Sequence, residues 1–516
     1  METLTIAKLL EIWPDSQLIC GQATQTFANI KTDSRTDLHN QVFIALKGER
    51  FDGHDYLLPA IKRGAVAVVI DQSSKLDEKL QQTADNHHCS VVKVTNTWAA
   101  FYKFAAFCRS EFHRPVIAVT GSVGKTSSRC MISRSLKGQG NIVETEYNLN
   151  NEVGISQTLE RLHGQEADYA IVEMGIDSIG EMARETALVQ PDVAIITGIG
   201  FSHIDHFQNR QILLREKTSI LNGLRPDGSL LLPFNDDLLI KYAEFHKLAA
   251  HLHLYLYGLE SDFVPAKAAE FPADVTWVIG GQRTLAENAA GQLQQTFKVN
   301  IVHFQGDKQE ISQTTSVTLT TPAQHHAQNA CLAIACNVAL HLPIEPAARN
   351  LAGYKGANGR ERILKIANTV LLDDSYNAAS SSFKAVLDTA ELLCRQYRLP
   401  KMVAVCGSIN ELGAYSESEH CKVGTYLAEH NLERIYFIGH GAYYMQAAYL
   451  TACEDKGRKA ARCKTYRQRE DLDEDLLREL QRDELIFFKG SHSFALGESV
   501  EKVWDELNYR VQNGKY

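Results

Sequence analysis

No run in this chain approaches the ~18 consecutive apolar residues that a membrane-spanning helix needs, so no membrane insertion is expected. The start, Met1-Glu-Thr-Leu-Thr-Ile-Ala-Lys8, lacks the basic stretch and apolar core of a secretory leader. Cysteine occurs eleven times, yet no pair is spaced Cys-x-x-Cys. An odd, unpatterned set argues against a disulfide framework and against zinc, and predicts reduced thiols in a cytoplasmic protein. Basic excess is missing too. A net charge of −9 argues against a general nucleic-acid binder, whose phosphate partner needs a basic face. It leaves room for a local basic pocket. Internal repeats and low-complexity linkers are also absent. What is present is ordinary: 44% apolar and 22% charged residues over 516 positions, enough for two to four domains with ample cores.

The pattern divides the chain into three α/β regions. Residues 1–112 mix short strands, such as Val42–Leu46 and Ala65–Ile70, with helices. Residues 113–357 alternate apolar runs with helical stretches, which predicts a parallel sheet covered on both faces. The clearest runs are Tyr169–Met174 and Val193–Thr197. From 358 to 516 the pattern restarts. Val370–Asp374, Lys401–Cys406, Arg434–Ile438 and Glu484–Phe488 read as strands of a Rossmann-like unit. Between about 250 and 320, pieces such as Phe297–His303 and Ser316–Thr320 suggest a small antiparallel extension.

The most informative stretch is Val116-Ile-Ala-Val-Thr-Gly-Ser-Val-Gly-Lys-Thr-Ser127. An apolar strand, a glycine turn and a helix running from Ser127 to Leu136 form a phosphate cradle. A helix start carries unpaired N–H groups and partial positive charge. Gly121, Ser122, Val123 and Gly124 would wrap a phosphate, Lys125 reach its outer oxygens, Thr126 bind Mg²⁺ and Ser127 open the helix. The first glycine of the common P-loop is replaced by Val119.

Downstream, Glu173 ends an apolar strand, where a carboxylate either holds Mg²⁺ or simply faces water. His203, Asp205 and His206 crowd one glycine-rich loop and read as a catalytic loop. Lys217 lies on a likely helix, and nothing local distinguishes it from a solvated surface lysine. Asp373-Asp-Ser-Tyr-Asn377 reads as a ribose-binding strand end or as a turn with an Asx cap.

Together and in order, these segments resemble the Mur ligases, ATP-dependent enzymes that build the peptide stem of bacterial cell-wall precursors. The resemblance spans nearly the whole chain. Thr32-Asp-Ser-Arg-Thr36 and Val42–Asp55 resemble that family's nucleotide-sugar domain. Thr120–Thr126 matches its ATP loop, glycine spacing included, and Asn148–Gly154 the loop after it. His325 and Asn329 fit a His-x-x-x-Asn helix. Gly359-Arg360, Asp374–Asn377, Glu411–Gly413 and Lys489–Ser491 fit third-domain motifs.

The resemblance implies a small mixed α/β nucleotide-sugar-binding domain, a central P-loop parallel-sheet ATPase domain and a C-terminal Rossmann-like domain. It implies Lys125, His203 and Lys217 as catalytic, with Asn329, Arg360 and Asp374 completing the ATP site. Thr126, Glu173, His203 and Lys217 would hold two Mg²⁺ ions, Lys217 as a carbamate. Ser34, Arg35, Asn150 and Asn377 would bind substrate. ATP, a UDP-sugar peptide and an amino acid or dipeptide are the implied small-molecule substrates of a monomeric enzyme that activates a carboxylate as acyl phosphate.

Three third-domain positions depart from the family pattern. Ala378-Ala-Ser380 stands where Ala-Asn-Pro is usual, Ser408 replaces an aspartate and His492 an arginine. The loss of a carboxylate and of an arginine near the amine-receiving domain leaves a paralogue with another amine or acyl substrate as an alternative. A non-catalytic nucleotide binder has no need of Lys125, Thr126, Glu173, His203 and Lys217 together. A P-loop motor or switch GTPase would need switch segments that are absent. The chain is also longer than such enzymes usually are, near 250–320 and 450–480.

Overall fold

The computed structural model describes residues 3–48, 51–74, 77–268, 270–306, 308–356 and 359–515. Glu49 and Arg50 of the first-domain passage, and the expected boundary at 357/358, lie outside these residues. Three sheets form.

The first has the order Gln17–Cys20, Ser90–Val94, Ala67–Asp71, Gln41–Ile44, Asn29–Lys31, parallel except for its first strand. The apolar alternation of Val42, Ile44, Val69 and Val92 packs one face against the aromatic side of the helix Thr97–Ser110, through Phe101 and Phe104.

In the central sheet, seven strands run parallel in the order Thr276–Gly280, His253–Leu259, Ser229–Pro233, Val193–Ile196, Val116–Thr120, Tyr169–Glu173, Ile142–Glu144. Val116–Thr120 is buried at every position, as a strand covered on both faces requires. One face packs on the helices Lys125–Ser135 and Gln324–Ala339, with Ile117, Val119, Met131, Ile132, Ala327 and Cys331 interleaved. The other face carries Val172, Ala194 and Ile196, in an apolar cluster that continues into the third domain.

The segment 250–320 is not one small extension. His253–Leu259 and Thr276–Gly280 are almost wholly buried and join the parallel core. The antiparallel part is the long ribbon Leu293–Gln305 and Lys308–Leu319, with Thr284–Glu287 on the outside. Continuous apolar runs sort into the two-faced core. The alternating strand Leu293–Gln305 covers only one face.

The third sheet has the order Arg362–Ile366, Thr369–Asp374, Glu484–Lys489, Lys401–Gly407, Arg434–Ile438, Arg462–Tyr466, all parallel but the first. The four apolar strands of the sequence form its centre. The two edges, Arg362–Ile366 and Arg462–Tyr466, are half-exposed, and the second is largely polar. No helix among the described residues is long and apolar enough to cross a membrane, and all eleven cysteines are free thiols.

Candidate active site

The central strand Val116–Thr120 ends in the turn that starts the helix Lys125–Ser135. Gly121 sits at φ +144 and Gly124 at φ +88. A β-carbon on Gly121 would lie 2.0 Å from Thr197 Oγ1, so only glycine lets the turn lie against the next strand end. That strand end locks the turn: Ser122 N–H donates to Gly198 O at 2.9 Å and Thr197 Oγ1 to Val123 O at 2.6 Å. Lys125 Nζ donates to Gly121 O at 3.0 Å, which curls the lysine over the turn where a phosphate would enter. Burial pulls the Lys125 ammonium below its usual range, and Glu173 opposes this. Ser127 and Ser128 are buried in the first turn of the helix, Ser128 Oγ lying 3.5 Å from Asn329 Oδ1.

Glu173 does not face water. It is 1% exposed and accepts from Thr126 Oγ1 at 3.0 Å, Asn150 Nδ2 at 2.8 Å and Arg129 Nε at 3.2 Å. Sequence reasoning missed Arg129, which also pairs with Glu144. A buried carboxylate among hydroxyl, amide and cation is a hard-oxygen site next to a phosphate turn, and the donor set fits Mg²⁺.

Lys217 is not a surface lysine. It projects from the helix Arg210–Thr218, is 2% exposed and makes no ion pair within 4 Å among the described residues. Burial, reinforced by the charge of Lys125, holds its amine well below the usual range. Glu185 faces the same region with both carboxyl oxygens unpartnered among the described residues. Asp177, in the loop after the Glu173 strand, acts on Lys125 and Lys217 alike and lies 3.3 Å from His203 Nδ1. It links the catalytic candidates, and no motif pointed to it. Glu411, which opens the third-domain motif Glu411–Gly413, also reaches this group: its Oε2 lies 2.6 Å from His203 Nδ1, a contact the motif does not reveal. His206 turns away, its Nδ1 2.7 Å from Asp177 O.

The third domain closes the site from above. Arg360 Nη2 donates to Thr126 Oγ1 at 3.1 Å, with its guanidinium 3.9 Å from the Tyr376 ring centre. Asp374 is ion-paired with buried Lys489, whose Nζ also donates to Asn377 O at 3.1 Å. Asn377 Oδ1 accepts from Ala378 N–H, while the Asx turn is made by Asp373, whose Oδ1 accepts from Ser375 N–H at 3.2 Å. Burial raises the Asp374 carboxyl and Lys489 opposes this.

His325, His326 and Glu361 bring one donor atom each within 4.8 Å of one another. The two histidines sit at the start of the helix Gln324–Ala339, Glu361 just before the strand Arg362–Ile366, and Arg283 and Lys489 act on His325. A helix N-terminus and two cations make a field that disfavours a metal ion. Ser34 and Arg35 lie well away from the phosphate turn, Arg35 86% exposed and paired with Asp33 at 2.8 Å.

The departures separate on inspection. Ser408 is fully buried: its Oγ accepts from Gly441 N–H at 2.7 Å and donates to Ile438 O at 3.2 Å. It pins a turn and lines no open surface. Ser380 starts the helix Ser380–Tyr397, a position where proline is also common, and its hydroxyl donates to the buried Glu419 carboxylate. Only His492 stands at the site, with its ring centre 5.2 Å from that of Tyr376.

A phosphate turn roofed by a Rossmann-like domain, and joined to a smaller mixed α/β domain, is the architecture of the ATP-dependent ligases that form C–N bonds. Residues 26–108 match the Mur ligase family catalytic domain, 119–337 the Mur ligase middle domain and 359–492 the Mur ligase glutamate ligase domain. The chain belongs to the Mur ligase family. It is 28% identical to the UDP-N-acetylmuramoyl-tripeptide–D-alanyl-D-alanine ligase of Bacillus subtilis over 92% of each chain. It is 29% identical to the Escherichia coli enzyme of that name, over 82% of this chain and 84% of that one. Among solved structures, MurF from Acinetobacter baumannii superposes with a TM-score of 0.78 at 25% identity, covering 98% of this chain and 99% of that one.

Proposed function

We propose that this chain joins D-alanyl-D-alanine to UDP-N-acetylmuramoyl-tripeptide at the expense of ATP, in peptidoglycan precursor synthesis. The observation that carries the reading is the phosphate turn set against the Thr126–Glu173 pair and capped by Arg360, in a chain that spans relatives of that name almost end to end.

A carboxylate does not acylate an amine at neutral pH. Here the substrate carboxylate takes the γ-phosphoryl group of ATP, giving ADP and an acyl phosphate. The amine attacks the acyl carbon, loses a proton and expels inorganic phosphate. Lys125 and the amides of Gly121–Ser127 hold the phosphates. Asn329, Arg360 and Asp374 complete the nucleotide site. Thr126 and Glu173 would hold one Mg²⁺, and His203 with Lys217 a second. When bound, these ions offset the charge that develops on the transferred group. A plain ammonium cannot ligate a cation. Burial disfavours the ammonium form of Lys217, and its free amine can add CO₂ to form a carbamate, release one proton and present an oxygen anion. Ser34, Arg35 and Asn150 are assigned to the nucleotide-sugar peptide and Asn377 to the amine. The third domain excludes water from the acyl phosphate. The reading fits a monomer working in the cytoplasm on small molecules.

His492, in place of a permanently charged arginine, supports a second reading in which a different amine is used. One experiment separates them: phosphate release with ATP, Mg²⁺ and UDP-N-acetylmuramoyl-tripeptide, with and without D-alanyl-D-alanine, and the product identified by mass. Release that depends on the dipeptide and yields its amide supports the first reading. No release from active protein, with either common third stem residue, moves the assignment to another amine.

A further inference from the structure

The contact between His203 and Glu411 joins the central and third domains at the edge of the candidate metal site. Glu411 Oε2 lies 2.6 Å from His203 Nδ1. Both residues hold left-handed backbone, His203 at φ +60 and Glu411 at φ +59. Neither is glycine, so strain sits at both ends of one contact, and surrounding structure must over-determine it.

That structure is visible. Asp205 N–H donates to Glu411 O at 3.3 Å. Gly413 lies so close to Asp205 that an added β-carbon would be 2.9 Å from the Asp205 β-carbon. The Tyr415 ring centre is 5.3 Å from that of Phe201, and Lys422 Nζ is 5.0 Å from the same ring. The segment 411–422 of the third domain thus docks on the 201–205 loop and brings one carboxylate to one imidazole nitrogen as an ion pair, with Nδ1 making no in-line hydrogen bond among the described residues.

A metal-ligating histidine is usually held through its other nitrogen by a carboxylate, which fixes its tautomer, orients the ring and raises its basicity. Asp177, from the central domain, touches Nδ1 from a longer 3.3 Å and is there whether or not the third domain is docked. Glu411 arrives only with the third domain.

We propose that Glu411 is a positioning residue, which on domain closure holds His203 through Nδ1 and leaves Nε2 to bind the cation. The second metal position is then completed only in the closed enzyme, so phosphoryl transfer waits for the third domain. This rests on His203 being a cation ligand, as proposed above.

The test is Mn²⁺ binding to the full chain with a non-hydrolysable ATP analogue, followed by electron paramagnetic resonance, for the wild type and for His203→Ala, Glu411→Ala and Glu411→Gln. Analogue affinity is measured alongside. We expect His203→Ala to abolish one Mn²⁺ site and Glu411→Ala to weaken that site about 10- to 100-fold. Glu411→Gln keeps an acceptor oxygen and should recover most of the loss, with analogue affinity within about twofold throughout. A contact that served only docking would leave Mn²⁺ affinity unmoved in Glu411→Ala. If His203→Ala loses the site while Glu411→Ala keeps wild-type affinity, the proposal fails and the metal reading stands. If His203→Ala also keeps both sites, the metal reading of His203 fails, and the positioning role falls with it.

Discussion

Arg360 reaches from the start of the third domain to donate to Thr126 Oγ1 at 3.1 Å, while its guanidinium carbon lies over Tyr376, 3.9 Å from the ring centre. One planar cation therefore joins the phosphate turn to the domain that closes over it. Lysine carries the same charge but neither the fork nor the stacking face. Arg360→Lys should lower kcat/KM for ATP by about 10- to 100-fold, the loss of one charge-assisted bond of roughly 1.5–3 kcal/mol, with the thermal midpoint little changed. Wild-type kinetics in this variant would remove Arg360 from the nucleotide site.

Lys217 is buried beside Asp177 and Glu185, with no ion pair among the described residues to hold an ammonium. Lys217→Ala should reduce turnover at least about 100-fold, since one metal position loses its anionic ligand. Acetate or propionate, filling the space left by the carbamate, should restore part of it. Full activity without added carboxylate would take Lys217 out of the mechanism.

The phosphate turn, the strand centres and the order of the three regions were legible because each is carried by local patterns: apolar runs, glycine at fixed offsets, a helix start. Two kinds of feature were not. Edge strands such as Arg462–Tyr466 carry polar residues on both faces, and no period marks them. Residues such as Asp177 and Arg129 act through neighbours far away in the chain, and a single acid or arginine outside any motif has no signature of its own. Lys217 shows the reverse. Its sequence context reads as surface, and its burial follows from which face of the helix Arg210–Thr218 packs inward.

Ser408 makes a further test of the third domain. Its buried hydroxyl is the acceptor for Gly441 N–H, and removing it strands a buried donor. Ser408→Ala should destabilise the protein by about 1–3 kcal/mol, read as a lower denaturant midpoint, with KM for the amine substrate unchanged. A shifted amine KM at unchanged stability would return Ser408 to the substrate pocket.

Glu185 carries the clearest pH signature. Burial, with Glu181 and Glu152 adding repulsion, pushes its carboxyl up from the ordinary 4.5 to about 9, and both oxygens are unpartnered among the described residues. A folded value above the unfolded one means that the native state keeps a proton the unfolded chain has lost. The contribution is complete below pH 4.5 and is lost as pH rises through 9. In that window the native state weakens by about 1.4 kcal/mol per pH unit relative to a chain without this group. Glu185→Gln keeps the shape and cannot ionise. It should match the wild type near pH 5 and exceed it at pH 8, the gap growing by roughly 2–3 kcal/mol between pH 6 and pH 8. Urea midpoints for the two proteins across that range measure the gap directly. A gap that stays flat would mean that Glu185 is ionised in the fold, its proton held by the neighbouring Lys217. The lysine would then be an ammonium and not the neutral amine that carbamate formation requires.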